Sequence, residues 1–215
     1  MKKLLTSWLL SLGMVLSVFA LPVQAQQLGG DFTEIVPALI ADAPDKIEVI
    51  EFFSYACPHC NDLNPTLNQW SAKLPADVAF RKVAVGFNTP FYQLMAKLFY
   101  SLDAMGESKR LDEVVFKAIH SQGVKLVDEK SVTAWVATQG VDGKKFGDAF
   151  GSFGVLNQVK RSDMLVQKAA IKGVPALLVD GRYLVGGPNI KSNADLLAVS
   201  DKLIAKVRAE RAARK

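Results

Sequence analysis

Cys57-Pro58-His59-Cys60 is the place in the sequence where reactive side chains crowd together. These are the only two cysteines among 215 residues, and His59 is one of two histidines. Two thiols at this spacing can pass reversibly between dithiol and disulfide, so they can accept or donate a pair of electrons. Such a pair becomes reactive when one thiolate is stabilised. The start of a helix does this through its free N–H groups and its dipole. Pro58 fits a first helical turn, where a missing N–H costs nothing. His59 adds positive charge or a hydrogen bond beside Cys57, and Cys60, one turn on, is placed to close the disulfide. Two other uses of the pair stay open. A structural disulfide over so short a loop constrains little, about 2 kcal/mol in the chain-entropy model against about 3 for a fifteen-residue loop. A Cys/His zinc site would need every Cys and His in the chain, with His120 distant in sequence.

The elements that must hold this pair are legible around it. Lys46 to Phe53 is rich in Ile, Val and Phe on both faces, which predicts a strand buried on two sides. Pro58 to Lys73 predicts a helix, with Leu63, Leu67, Trp70 and Leu74 at helical spacing. The cysteines therefore end a strand and open a helix, the setting of a thioredoxin-like redox motif. Asp77 to Val85 predicts a second strand, and Asp31 to Val36 a short edge strand. From Pro90 to Lys172 only helical stripes appear. One carries Phe91, Leu94, Leu98 and Leu102, and the next Leu111, Val114, Val115 and Ile119. Val132, Trp135 and Val136 make a third, and Phe146, Phe150 and Phe153 a fourth. Val155, Val159, Val166 and Ala170 belong to a fifth. Ala176–Val179 and Tyr183–Val185 then read as strands joined by Asp180-Gly181, a hairpin signal. A last helix runs from Asn193 to Arg211, capped by Ser192 or Asn193. The order predicts an α/β fold: one central mixed sheet flanked by helices, with an all-helical insertion.

Composition bounds the rest. Apolar residues at 50% and charged residues at 22% exclude an intrinsically disordered chain. Lys2 and Lys3 precede a mostly apolar run from Leu4 to Leu21, and Val23-Gln24-Ala25 offers small residues where a signal peptidase cuts. Residues 1–25 are thus expected to be a secretory signal peptide. Its removal would lower the formal net charge of +5 by two. The expected product enters an oxidising compartment, where disulfides form. The basic end, with Lys202, Lys206, Arg208, Arg211, Arg214 and Lys215, reads as the solvated end of a helix and not as a nucleic-acid site. Trp70 and Trp135 are expected in the core, and His120, in the last turn of a helix, in a structural or surface role.

The string Glu51-Phe52-Phe53-Ser54-Tyr55-Ala56-Cys57-Pro58-His59-Cys60 resembles the active-site segment of the DsbA family of periplasmic thiol:disulfide oxidases. Gly173-Val174-Pro175-Ala176 resembles that family's cis-proline loop, and the spacing between the two, filled by helices, is similar. The resemblance implies a thioredoxin-like domain split into residues 26–89 and 173–215 around a helical insertion, 90–172. It implies an exposed, attacked sulfur on Cys57 and a buried partner in Cys60. Val174 and a cis Pro175 would hold substrate backbone against the disulfide. It also implies a buried pair of Glu51 and Lys82 tuning proton transfer to Cys60. The implied substrates are reduced, unfolded exported proteins. The implied reoxidant is an inner-membrane quinone reductase of the DsbB type, with no cofactor, no metal and no nucleic acid. A monomer is expected. The nearest enzymatic rival, a reductase or isomerase, loses ground because residues 26–45 are too few for the dimerisation domain that precedes the catalytic one in dimeric isomerases of the superfamily.

The sequence also departs from the family. Its best-studied members carry an acid four residues after the second cysteine, where this chain has Asn64, and any tuning that depends on that acid is in question. Pro65 instead resembles the helix proline of ordinary thioredoxins. A non-catalytic chaperone or metal carrier is the rival from another class. Metal content together with oxidation of a reduced, unfolded peptide separates the two.

Overall fold

A computed structural model describes residues 30–214. The signal peptide expected over residues 1–25 lies outside them. The described chain runs β1 (Phe32–Glu34), β2 (Ile47–Phe53), α1 (Pro58–Ser71), β3 (Val78–Ala84), α2 (Pro90–Ala104) and α3 (Ser108–His120). It continues through α4 (Glu129–Thr138), α5 (Gly143–Phe150), α6 (Phe153–Lys168), β4 (Ala176–Val179), β5 (Tyr183–Val185) and α7 (Asn193–Ala212). The strands form one mixed sheet in the order β1-β5-β4-β2-β3. Only β2 and β3 pair in parallel; the other neighbours are antiparallel. No helix among the described residues is long and apolar enough to cross a membrane.

All seven residues of β2 are buried, including Glu48 and Glu51. Alternation along the strand sends Ile47, Val49, Glu51 and Phe53 to one face and Glu48, Ile50 and Phe52 to the other. On the first face Val49 packs with Leu63 and Leu67 of α1 and with Leu196, Leu203 and Ile204 of α7. On the second, Ile50 and Phe52 pack with Val166 and Ala169 at the end of α6. Burying each such side chain is worth about 1.5–3 kcal/mol relative to exposure. The helices α2–α6 form their own core, and Phe53, Tyr55, Cys57 and Cys60 belong to it. The reactive segment is therefore wedged between the sheet and the helical block, which fixes its position from two sides.

Some helical stripes break differently from their sequence pattern. Phe153 does not extend the α5 stripe. Ser152 caps a new helix by accepting the Val155 N–H, and Phe153 stands 80% exposed at its start. Ala170 lies beyond the end of α6, exposed and in the left-handed region at φ 52°. Val114 is also partly exposed, because α3 turns Leu111, Val115 and Phe116 inward instead. Trp70 and Trp135 are half-buried and pack on the cluster edges, so they line the core and do not sit inside it. Trp70 Nε1 donates to Asp201 at 2.9 Å. The basic end is internally paired: Lys206 with Glu210, Arg208 with Asp77, and Arg211 with Asp180.

The β4–β5 hairpin follows directly from Pro175. Its turn places Asp180 and Gly181 in the left-handed region at φ 56° and 64°, closed by the Arg182 N–H donating to the Val179 carbonyl. A Cβ at Gly181 would come within 2.3 Å of the Leu39 carbonyl oxygen. The Leu39 N–H in turn donates to the Gly181 carbonyl at 2.9 Å. Only glycine satisfies both the dihedral and the approach. Gly181→Ala is expected to destabilise the protein by at least about 2 kcal/mol, read as a lower denaturation midpoint with an unchanged slope.

Candidate active site

Cys57 is the N-cap of α1. Its backbone is extended, its sulfur accepts the Cys60 N–H at 3.3 Å, and Pro58 occupies the first helical position. The turn before it is set by the Cys57 N–H donating to the Ser54 carbonyl and the Ala56 N–H donating to Ser54 Oγ. His120 Nε2 lies 2.8 Å from the Tyr55 carbonyl, and because a carbonyl only accepts, that nitrogen carries the proton. The imidazole also stacks on Phe116. The end of α3 thus pins the backbone two residues before Cys57.

Both cysteines are free thiols, so this is the reduced state. Cys60 is fully buried. Cys57 is not the exposed sulfur expected from the sequence: it is 5% accessible, while Pro58 and His59 are exposed. The cover is the loop before β4. When protonated, Cys57 Sγ donates to the Val174 carbonyl at 3.3 Å. The Val174–Pro175 peptide bond is cis, as is Val36–Pro37, which the sequence did not suggest. The two segments brought together here are 117 positions apart.

The two thiols are driven in opposite directions by one contact. The Cys60 S–H donating to Cys57 lowers the Cys57 pKa from 9.0 to about 6, against the effect of burial and with help from the Cys60 and His59 N–H groups and the His59 charge. That same hydrogen bond, with burial, pushes the Cys60 thiol far up. Tyr92 of α2 is close enough to feel both sulfurs.

Beneath α1 lies a buried charge network. Glu51 and Lys82 are direct cross-strand partners on the α1 face of β2 and β3. Glu51 has no solvent access, and burial pushes its carboxyl up to about 7, with Lys82 opposing and Asp112 reinforcing. Lys82 Nζ sits 3.4 Å from Glu51 Oε2 but donates to Asn64 Oδ1 at 2.6 Å and Asp112 Oδ2 at 2.8 Å. Asn64 therefore takes one of the lysine's hydrogen bonds. Tyr55 and Asn68 donate to Asp112 at 3.4 and 3.5 Å. Asp112, Tyr55, Asn68 and Tyr92 escaped the sequence reading. Asp112 left one readable trace: it lies one turn before Phe116 on a buried stripe, a carboxylate where the pattern wants an apolar residue. Among the described residues, no three His, Cys, Asp or Glu side chains stand together as metal ligands would.

The Cys57 thiolate is expected to titrate near pH 6 in the reduced protein, followed by its ultraviolet absorbance. Replacing Cys60 with Ala removes the largest stabilising contact, so the midpoint should rise. An unmoved midpoint would show that the helix terminus alone holds the thiolate.

Residues 48–198 match the model of the DSBA-like thioredoxin domain. The thiol:disulfide interchange protein DsbA of Burkholderia cepacia is 39% identical over 208 residues, covering 96% of this chain and 98% of that protein. That of Bordetella parapertussis is 40% identical over 194 residues, covering 89% and 91%. The crystal structure of Pseudomonas aeruginosa DsbA superposes with a TM-score of 0.81 at 33% identity, over 87% of this chain and 96% of that one. With a matching domain across most of its length, a mixed sheet interrupted by helices and a dithiol at the start of α1, the chain belongs to the DsbA-like thioredoxin-domain family of thiol:disulfide oxidoreductases.

Proposed function

We propose that this chain is a periplasmic dithiol oxidase that donates a Cys57–Cys60 disulfide to reduced, unfolded exported proteins. The observation that carries this reading is the geometry of the pair: Cys57 Sγ accepts the Cys60 N–H at the start of α1, which favours its thiolate, while Cys60 is fully buried, which favours its thiol. In the oxidised state a substrate thiolate attacks Cys57 Sγ. The Cys57–Cys60 bond breaks, and Cys60 leaves with the electron pair and takes up a proton. A second substrate thiol, deprotonated, attacks the substrate sulfur of the mixed disulfide and expels Cys57 as thiolate. The substrate has then lost two electrons and two protons, and the protein holds a Cys57 thiolate and a Cys60 thiol. A stable Cys57 thiolate is a good leaving group, so the equilibrium favours the oxidised substrate.

Glu51, buried and titrating near 7, is the proton source for Cys60 in this reading, with Lys82 as its partner. The Val174 carbonyl marks where substrate backbone would lie, and Pro175 shapes that loop. The exposed Pro58 and His59 complete the contact surface around Cys57. The leader at residues 1–25 and the family support the periplasm as the place of action. Return to the disulfide would pass two electrons to a quinone-linked inner-membrane partner of the DsbB type, with the chain acting as a monomer.

Equilibration with glutathione tests the direction of the chemistry. The pair is expected to be more oxidising than the roughly −230 to −200 mV of glutaredoxins, and a value near the about −270 mV of thioredoxin would falsify the oxidase reading. Glu51→Gln is expected to slow oxidation of a reduced peptide by about a hundredfold near neutral pH, the lower end of general acid–base effects. An unchanged rate would remove Glu51 from the mechanism.

A further inference from the structure

The buried network holds two carboxylates and one lysine. Two carboxylates cannot both be fully satisfied by one ammonium, and a buried carboxylate without a partner is costly. Geometry tells which carboxylate Lys82 serves. Its hydrogen bonds go to Asp112 Oδ2 at 2.8 Å and Asn64 Oδ1 at 2.6 Å. The Phe53 and Phe116 rings lie 5.0 and 5.9 Å from the ammonium and close two further sides. Glu51 is left at 3.4 Å, and neither of its buried oxygens accepts a hydrogen bond. The other Asp112 oxygen is occupied by the Tyr55 hydroxyl.

The charged groups acting on Glu51 are Lys82 from β3, Asp112 from α3 and Cys57 at the start of α1, while its neighbour on β4 is the apolar Leu177. Tyr55, before α1, and Cys60, within it, feel Glu51 in return, and Tyr55 also feels Asp103 of α2. Lys82 and Asp112 also line a cleft of about 990 Å³ that includes Asn68, Tyr100 and Asp103 but neither cysteine nor Pro175. Their side chains are 11% and 10% accessible, while Glu51 has no access. The network therefore meets water at Lys82 and Asp112, away from the thiols.

We propose that Asp112 is a positioning residue for thiol–disulfide exchange: it holds the Lys82 ammonium away from Glu51, which keeps Glu51 able to carry a proton for Cys60. This rests on the reading that Glu51 exchanges a proton with Cys60. Removal of the Asp112 charge frees Lys82 to turn fully to Glu51, and Glu51 then becomes a fixed anion that no longer delivers protons near neutral pH.

The test is ¹³C NMR of the side-chain carboxyls in the reduced, full-length exported chain, combined with the pH profile of peptide oxidation. In Asp112→Asn the Glu51 midpoint should fall by more than about one pH unit. The pH at which oxidation slows should fall with it, while the Cys57 thiolate midpoint stays in place. A Glu51 midpoint unmoved in folded Asp112→Asn overturns the proposal and leaves the role of Glu51 intact. Wild-type protein supplies a second readout that does not depend on a variant. There the Asp112 carboxyl carbon should change its chemical shift as Glu51 ionises, since both carboxylates face the one lysine. A featureless Asp112 curve across that midpoint also overturns the proposal. A Glu51→Gln variant with an unchanged pH profile overturns both the proposal and the reading beneath it.

Discussion

The hydrogen bond from the Cys60 N–H to Cys57 Sγ governs the rest of the site. It forms because Cys57 is the N-cap of α1, and the same helical turn brings the buried Cys60 thiol near enough to act on that sulfur. One thiol therefore becomes acidic as the other becomes basic. The surrounding structure maintains this arrangement. Pro58 starts the helix without wasting a donor, Ser54 sets the turn, and the end of α3 pins the Tyr55 carbonyl through His120. Leu63 and Leu67 seat α1 on the sheet, and the cis-proline loop closes over the sulfur.

A dithiol that releases Cys60 as a leaving group needs a proton where water does not reach. The sheet supplies the candidate. Strict alternation along β2 places Glu51 under α1, and parallel register with β3 places Lys82 beside it. Asp112 and Asn64 then draw the lysine toward the helical block. The helical block α2–α6 thus reaches the buried network as well as its own core, because α3 carries the second carboxylate.

How much of this the sequence revealed follows from the range of each interaction. The strand–helix junction at the cysteines and the placement of Pro58 depend on neighbours within a few residues, and both were legible. Glu51 and Lys82 were reached through the family resemblance. Asp112 was not, since its meaning depends on α3 packing against α1 and α2, which brings it to Lys82 of β3, 30 positions away in the chain. The same reason explains Cys57. It is buried as part of the helical core and in contact with the Val174 carbonyl, and no local pattern brings either to the sulfur. Phe153 was misassigned because helix periodicity does not register a cap at Ser152 that restarts the count. Asn64, noted only as the loss of an acid, proved to be a hydrogen-bond partner of the lysine.

The central claim is that the fold stabilises the Cys57 thiolate. The direct measurement is the difference in unfolding free energy between the reduced and oxidised chain as a function of pH. The oxidised form has neither thiol to titrate, so Glu51 and the other groups largely cancel. A folded pKa lowered from 9.0 to about 6 contributes stability that is full above the unfolded value and lost as pH falls through the folded one. The Cys60 thiol, shifted upward, opposes this only above its own unfolded value. The reduced form should therefore gain on the oxidised form steadily between about pH 6 and pH 9. A difference that stays flat across that window, or that moves toward the oxidised form, would contradict the account.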